Sequence, residues 1–435
     1  MSSETLTTQK NTSRKLLRFS LIVFVVTWAM YILKHIFFGS HQLGDPDRYK
    51  ESFAFFNENG FYEASVHGTS LLYNSAIWVF YKLFNNVDAA IITVNILSEL
   101  IVLFVGLQLL KKIKGIVDHI YFYAIAATYI FITLNIHSYV RTANDTFLAV
   151  FIAIIFYILF AKLPTTQKTN LYYIYIGLLL GICTAIRPTS LFLFVIVAVF
   201  FGIKFLFQSL QFKNLLSAGF IIGVSCATII SLIHYPSLKE KGTLSFYNKN
   251  FEKDVNWIQR NYLGLKKIQE GKEPLHKSAI FNKTPFSEVR TYVQENGEDS
   301  LPNSSLKFVQ KDPKLYAQVV AYNVVYSVAK FIRYYGCMLV FPLLIFFQKP
   351  WFGSQKIAFW LFITYTLLIC MLCFTMMEYR WYIGYEILLL MAILVSIPLL
   401  RKKFKNTVLD VLFTISLLFV AICNIAQTFF ISSTY

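Results

Sequence analysis

Charge is what this sequence has least of: only 14% of its 435 residues are Asp, Glu, Lys or Arg, against 56% hydrophobic and 17% aromatic. No ordinary soluble domain has that balance, and with a mean hydropathy of +0.55 the chain reads as a polytopic membrane protein. Acidic residues are the scarcer sign, 23 against 40 Lys and Arg, giving a formal charge of +17. In a membrane protein such an excess gathers in cytoplasmic loops, so no nucleic-acid partner is implied. The six cysteines (Cys183, Cys226, Cys337, Cys370, Cys373 and Cys423) lie in apolar runs without paired metal-ligand spacing. They read as small core residues and imply no disulfide framework. No internal repeat stands out, which counts against a transporter built from inverted repeats. Nor does a small-residue cleavage site follow the first apolar run, where Phe37, Phe38 and Gly39 stand, so that run is a retained span rather than a signal peptide.

What is present is a series of apolar runs, the first of which, at about 1.5 Å per residue, spans the ~30 Å hydrocarbon layer. They cover 19–38, 89–110, 116–136, 147–161, 172–185, 191–207, 215–233, 338–347, 357–377, 383–400 and 408–430, about eleven spans. Arg14, Lys15 and Arg18 precede the first, and Lys111, Lys112, Lys114, Lys162, Lys204, Lys349 and the group from Arg401 to Lys405 mark later inner ends. By the positive-inside rule the N-terminus is inside and the C-terminus outside. The chain divides into a cytoplasmic tail, 1–18, and one transmembrane domain, 19–435.

The segment 41–73 is the one around which the rest is arranged. It packs Asp45, Asp47, Arg48, Glu51, Glu58, Glu63 and His67 directly after the first span. Carboxylates beside a bilayer repel anionic headgroups and are costly to desolvate, so their concentration points to a site that handles protons, cations or hydroxyls. The acidic outer loop, 40–88, is expected to include a helix at the membrane interface over 71–84, too short to span and interrupted by Asn74 and Lys82. A large polar outer loop over 234–316 precedes a second expected interfacial helix, 316–335, carrying Lys330 and Arg333.

This topology puts Asp45, Asp47, His67, Arg141, Asp145, Arg187, His234, Glu378 and Arg380 on the outer side. Each has a plain structural reading. Asp45-Pro46-Asp47 can be a turn, arginines at span ends snorkel to headgroups, and Arg141 and Asp145 can neutralise one another at i, i+4. Their gathering on one face shifts the balance, because arginines converging near acids make a phosphate site beside a general base.

With those residues in place, the layout resembles the GT-C superfamily of integral membrane glycosyltransferases, particularly the protein O-mannosyltransferases and the lipid A aminoarabinose transferases. The similarity extends over nearly the whole chain. It rests on Asp45 four residues before Tyr49 in an acidic first loop, followed by Asn59-Gly60; on HGTSLLY opening the interfacial helix; on Arg141-x-x-x-Asp145; on the Gly-rich span ending in Arg187-Pro188; and on Glu378-x-Arg380-Trp381. Two features depart from the family: its Asp-Glu pair is Asp45-Pro46-Asp47 here, and the prolines of its interfacial helix are Gly68 and Thr69. No soluble C-terminal domain of the kind some members carry is expected.

The resemblance implies an all-α transmembrane bundle and transfer of a sugar from a polyprenyl-phosphate donor, undecaprenyl or dolichyl, to a glycan, lipid or protein acceptor. It implies Asp45 or Asp47 as base for the acceptor hydroxyl, and Arg380 and Arg187, with Arg141 and His67 after them, on the donor phosphate. Tyr49, Asn144, Asp145, His234, Glu378 and Tyr382 would support the acceptor. No cofactor is implied, and a divalent metal is left open. An O-antigen ligase or polymerase, which needs no first-loop acid, and a lipid or sugar transporter, which places its charges near the midplane, are the alternatives. Two sequons, at Asn282 and Asn303, fit an ER membrane, whereas the compact chain fits a bacterial inner membrane with the site facing the periplasm.

Overall fold

The computed structural model describes residues 3–38, 46–115, 117–138, 143–165, 169–207, 210–246, 254–273, 284–346, 349, 352–353, 356–372 and 379–426. Every regular element among them is helical, and nine helical stretches are long and apolar enough to cross a membrane. The protein is therefore a multi-pass helical membrane protein.

The chain separates into two units. The first comprises 1–247, 331–364 and 382–435, and the second 248–330 and 365–381. The first unit begins with α1 (Ser3–Phe38), α2 (Pro46–His67), α3 (Leu71–Phe84), α4 (Val87–Ile113), α5 (His119–Ser138) and α6 (Asp145–Tyr157). It continues through α7 (Thr169–Ile186), α8 (Leu191–Phe207), α9 (Phe212–Ile233) and the short α10 (Tyr235–Lys241). The second unit contains α11 (Trp257–Gln269), α12 (Phe286–Asn296) and α13 (Ser305–Lys311). The last helices are α14 (Pro313–Tyr335), α15 (Val340–Phe346), α16 (Ile357–Leu372), α17 (Glu386–Arg401) and α18 (Asn406–Ala426).

Three expectations are refined. The segments expected as an interfacial helix, 316–335, and a separate span, 338–347, join in one apolar stretch, Pro313–Leu344. The chain passes Gly336 as a 3-10 turn, Gly336–Leu339, with φ +55 at the glycine. There a side chain would meet Ser416 at about 3.0 Å. Second, α17, expected over 383–400, runs Glu386–Arg401, 16 residues and about 24 Å of rise, and the described part of the span expected over 357–377 is α16. Third, the segment expected as a large outer loop is no open loop over its described part: Tyr262, Leu263, Leu265, Val289, Leu301 and Phe308 make a hydrophobic core inside the second unit. An Asn256–Gln259 capping box starts its first helix.

As expected, α3 is a separate short helix. Its 14 residues rise only about 21 Å. Leu71, Tyr73, Asn74 and Ile77 face inward, while Trp78, Val79 and Leu83 are exposed. α2 bends at Gly60, whose φ of 76 and ψ of 179 interrupt the helix.

Close helix approach is clearest between α7 and α9. A methyl group at Gly177 would lie 2.5 Å from the Ile222 carbonyl oxygen, and one at Gly181 would strike Ile229 and lie 2.9 Å from the Cys226 oxygen. Small residues on α7 thus let the two backbones touch.

Opposite the end where α6 begins, a charge network ties α1, α5, α17 and α18. Arg14 donates to Asp118 at 2.6 Å and lies 3.3 Å from Asp410, and Arg401 pairs with the same Asp118. Asp410, fully buried, also accepts from Ser13 at 2.9 Å and from the Tyr121 hydroxyl at 2.5 Å. Both guanidiniums lie over the Tyr121 ring, at 4.9 and 5.0 Å from its centroid. Two acids and two arginines thus compensate one another. The Arg401 guanidinium first, and then Arg14, hold the Asp118 carboxyl below the usual carboxylate range.

Candidate functional site

Helix direction brings the ends of α5, α7 and α9 and the starts of α4 and α6 to one end of the first unit. The residue that gathers them is Asn144, 1% exposed at the N-terminus of α6. Its Oδ1 accepts from the Tyr49 hydroxyl at 2.7 Å. Its Nδ2 donates to Ser70 Oγ at 3.4 Å and to the Ile186 carbonyl at 3.3 Å. A single amide therefore touches α2, the start of α3 and the end of α7.

Asp145 opens α6, where a carboxylate is favoured by the unpaired amides of the first turn. It is 4% exposed and forms an ion pair with Arg187. The sequence explains why Arg187 is there. Pro188 disfavours helical backbone at the preceding residue, and Arg187 adopts φ −155 and ψ 118, leaving the axis of α7. About 24% of its side chain remains exposed. A guanidinium anchored on one side by a buried acid is oriented by it.

A second layer lies beneath. Tyr73, fully buried, donates to the Ala143 carbonyl at 3.2 Å and accepts from Asn95 of α4 at 2.7 Å. Its ring meets that of Tyr49 edge to face at 5.6 Å. Asn74 donates to the Ser52 carbonyl at 3.1 Å and hydroxyl at 3.0 Å, and that hydroxyl accepts the Ser70 amide at 3.3 Å. Buried polar groups bonded this way rigidify the helices that carry them.

Of the residues singled out in the sequence, Tyr49, Asn144, Asp145 and Arg187 thus meet in one network. Asp47 lies in the first turn of α2, exposed and two residues from buried Tyr49. His67 ends α2 and stacks on Phe55 at 4.2 Å. His234 ends α9, 1% exposed, with its ring edge to face against Phe246 at 4.7 Å, and burial pushes its imidazole pKa down. The same region joins α10 to α2: Tyr62 donates to Glu240 at 2.5 Å, which pushes the phenol up to about 12, and Lys241 donates to the Val66 carbonyl at 2.5 Å. Tyr382 is fully buried against Phe331, at 4.9 Å. Arg380 belongs to the second unit, where it is half-buried. Asp45, Arg141 and Glu378 lie outside the described residues.

Sequence reasoning passed over Ser52, Tyr73 and Asn95. Asn95 carried a usable signal, a carboxamide inside a 27-residue apolar helix. One turn further, Glu99 is 3% exposed near the middle of the same helix, and Glu386 is 2% exposed at the start of α17. Among the described residues no three His, Cys, Asp or Glu side chains group to hold a metal ion.

No protein-family model matches the chain, and neither a curated protein nor a solved structure is similar enough to match it.

Proposed function

We propose that this protein is a membrane glycosyltransferase that moves a sugar from a polyprenyl-phosphate donor to an acceptor hydroxyl or phosphate on the outer side of the membrane, as the resemblance to the GT-C enzymes implies. The observation that carries the reading is the hydrogen bond from Tyr49 to Asn144, which joins the helix bearing Asp47 to the Asp145–Arg187 pair. A carboxylate and an oriented guanidinium at one end of a membrane bundle are what transfer from a lipid phosphate requires.

In this scheme the acceptor oxygen attacks the anomeric carbon as its proton passes to Asp45 or Asp47. The bond from that carbon to the phosphate oxygen breaks, and the electron pair leaves with the polyprenyl phosphate. Arg187 stabilises the charge that develops there, with Arg380, Arg141 and His67 as further candidates. Asp145 orients Arg187 without taking the proton. The lipid tail would lie against the apolar helix faces, in a bacterial inner membrane by preference.

The test is to incubate the purified protein in nanodiscs with radiolabelled polyprenyl-phosphate sugars and follow release of polyprenyl phosphate. Turnover that falls in Arg187→Lys and in the Asp45 or Asp47 variants supports the reading. No turnover with any donor, together with no retention of undecaprenyl phosphate, refutes it. A second reading, transport, is favoured by buried Glu99 near the middle of a span, where transporters keep ionisable groups. Substrate movement into sealed vesicles that is lost in Glu99→Gln, without consumption of a sugar lipid, would select it.

A further inference from the structure

At the end of the first unit opposite the candidate site, the two acids of the charge network, Asp118 and Asp410, are already matched by Arg14 and Arg401. Further basic groups are exposed at the same end. Lys15 and Arg18 are exposed on α1, and Lys402, Lys403 and Lys405 are exposed on the short connection between α17 and α18. The Arg14–Asp410 and Arg401–Asp118 pairs bring these two groups of cations to the same end.

Directly beyond the cations, both helices turn apolar faces outward. On α1, Phe19, Ile22 and Val26 are 59%, 61% and 52% exposed at helical spacing. On α18, Val411, Ile415 and Ile422 are 43%, 47% and 63% exposed in the same way. The opposite faces, Leu17 and Phe24 of α1 and Phe413 and Leu417 of α18, are buried to 1% or less. The exposed faces are therefore outer surfaces of packed helices.

A cationic rim followed by apolar stripes has the two-part chemistry of a phospholipid. The rim suits a headgroup phosphate, and the stripes suit acyl chains lying along the helices. Five exposed cations, at an end where Asp118 and Asp410 are already paired with arginine, select an anionic headgroup over a zwitterionic one. We propose that this end of the protein is a docking surface for an anionic phospholipid of the surrounding bilayer. Lys402, Lys403 and Lys405, with Lys15 and Arg18, hold the headgroup, and the outer faces of α1 and α18 hold the chains.

The test compares thermal unfolding of the full chain in neutral detergent after adding phosphatidylglycerol, phosphatidylcholine or inorganic phosphate. The wild type should gain several degrees with phosphatidylglycerol, less with phosphatidylcholine and none with phosphate, and the gain should shrink at high salt. Lys402→Gln/Lys403→Gln/Lys405→Gln should lose most of the phosphatidylglycerol gain while unfolding as the wild type does in phosphatidylcholine. Lys239→Gln/Lys241→Gln, at the other end, should keep it. Native mass spectrometry should show retained phosphatidylglycerol in the wild type and its loss in the triple variant, a readout that does not depend on stability. Equal gains with both lipids, a gain with phosphate alone, or retention unchanged in the triple variant would overturn the proposal.

Discussion

Tyr49 and Asn144, 95 positions apart, form a 2.7 Å hydrogen bond in which both side chains are buried. The bond fixes how α2 meets α6. Removing the hydroxyl with Tyr49→Phe leaves the Asn144 carbonyl short of a donor in a dry setting. A loss of about 1–3 kcal/mol in stability is expected, measured by denaturant or thermal unfolding in detergent. Tyr49→Phe with unchanged stability would mean that Asn144 finds an equivalent donor.

The Arg187–Asp145 pair should show strong coupling. Arg187→Ala takes the guanidinium from a carboxylate that is 4% exposed, which should cost about 3 kcal/mol, the low end for a broken buried pair because Arg187 keeps part of its side chain exposed. Asp145→Asn in the same chain should recover much of that loss. A double-mutant cycle with no interaction energy would count against the pair.

The acids of the first loop should behave in the opposite way. Asp47 is exposed, so Asp47→Asn should leave thermal stability within about 0.5 kcal/mol of the wild type. If Asp47 is the base, transfer falls by about 10² to 10⁴. If Asp45→Asn produces that loss instead, the role belongs to Asp45. Normal transfer in the double variant would end the general-base scheme.

The opposite end carries a pH signature. The Asp118 carboxyl sits below its ordinary pKa because Arg401 and Arg14 favour the anion. The unfolded chain therefore takes up this proton first as pH falls. The contribution is complete above the ordinary Asp value of about 4 and is lost as pH drops from there through the folded value. The difference in melting temperature between wild type and Asp118→Asn should be constant from pH 8 to about pH 5 and shrink below about pH 4. A difference that grew in acid would reverse the assignment.

The sequence disclosed the bundle, and some of the site, for identifiable reasons. Apolar runs bounded by lysines give a multi-pass helical bundle and the alternation of its helices, and that alternation is what puts Asp145 and Arg187 at one end. Arg187 was legible because Pro188 marks where its helix stops. Tyr73 and Ser52 were not, since a buried tyrosine or serine looks like any other until its partner is known. Asp118 and Asp410 are separated by 292 positions, so nothing local showed that they share Arg14. The continuity of Pro313–Leu344 was hidden by Lys330 and Arg333, which read as marks of an interfacial helix. The core of 254–330 was hidden because short amphipathic helices among many polar residues resemble a loop.

The contacts of Gly177 and Gly181 with α9 set a ruler within the first unit. Because backbone meets backbone there, sliding α7 along α9 would drive one chain into the other, and the longitudinal register of the two helices is fixed. Arg187 lies six residues past Gly181, and His234 eight residues past Cys226, the residue against which Gly181 rests. The two side chains are thus graduations on one rigid scale, and spin labels beside them should give a single narrow distance distribution. A side chain larger than glycine at position 181 would push the two backbones apart and recalibrate that scale, which the same measurement would read as a shifted distribution.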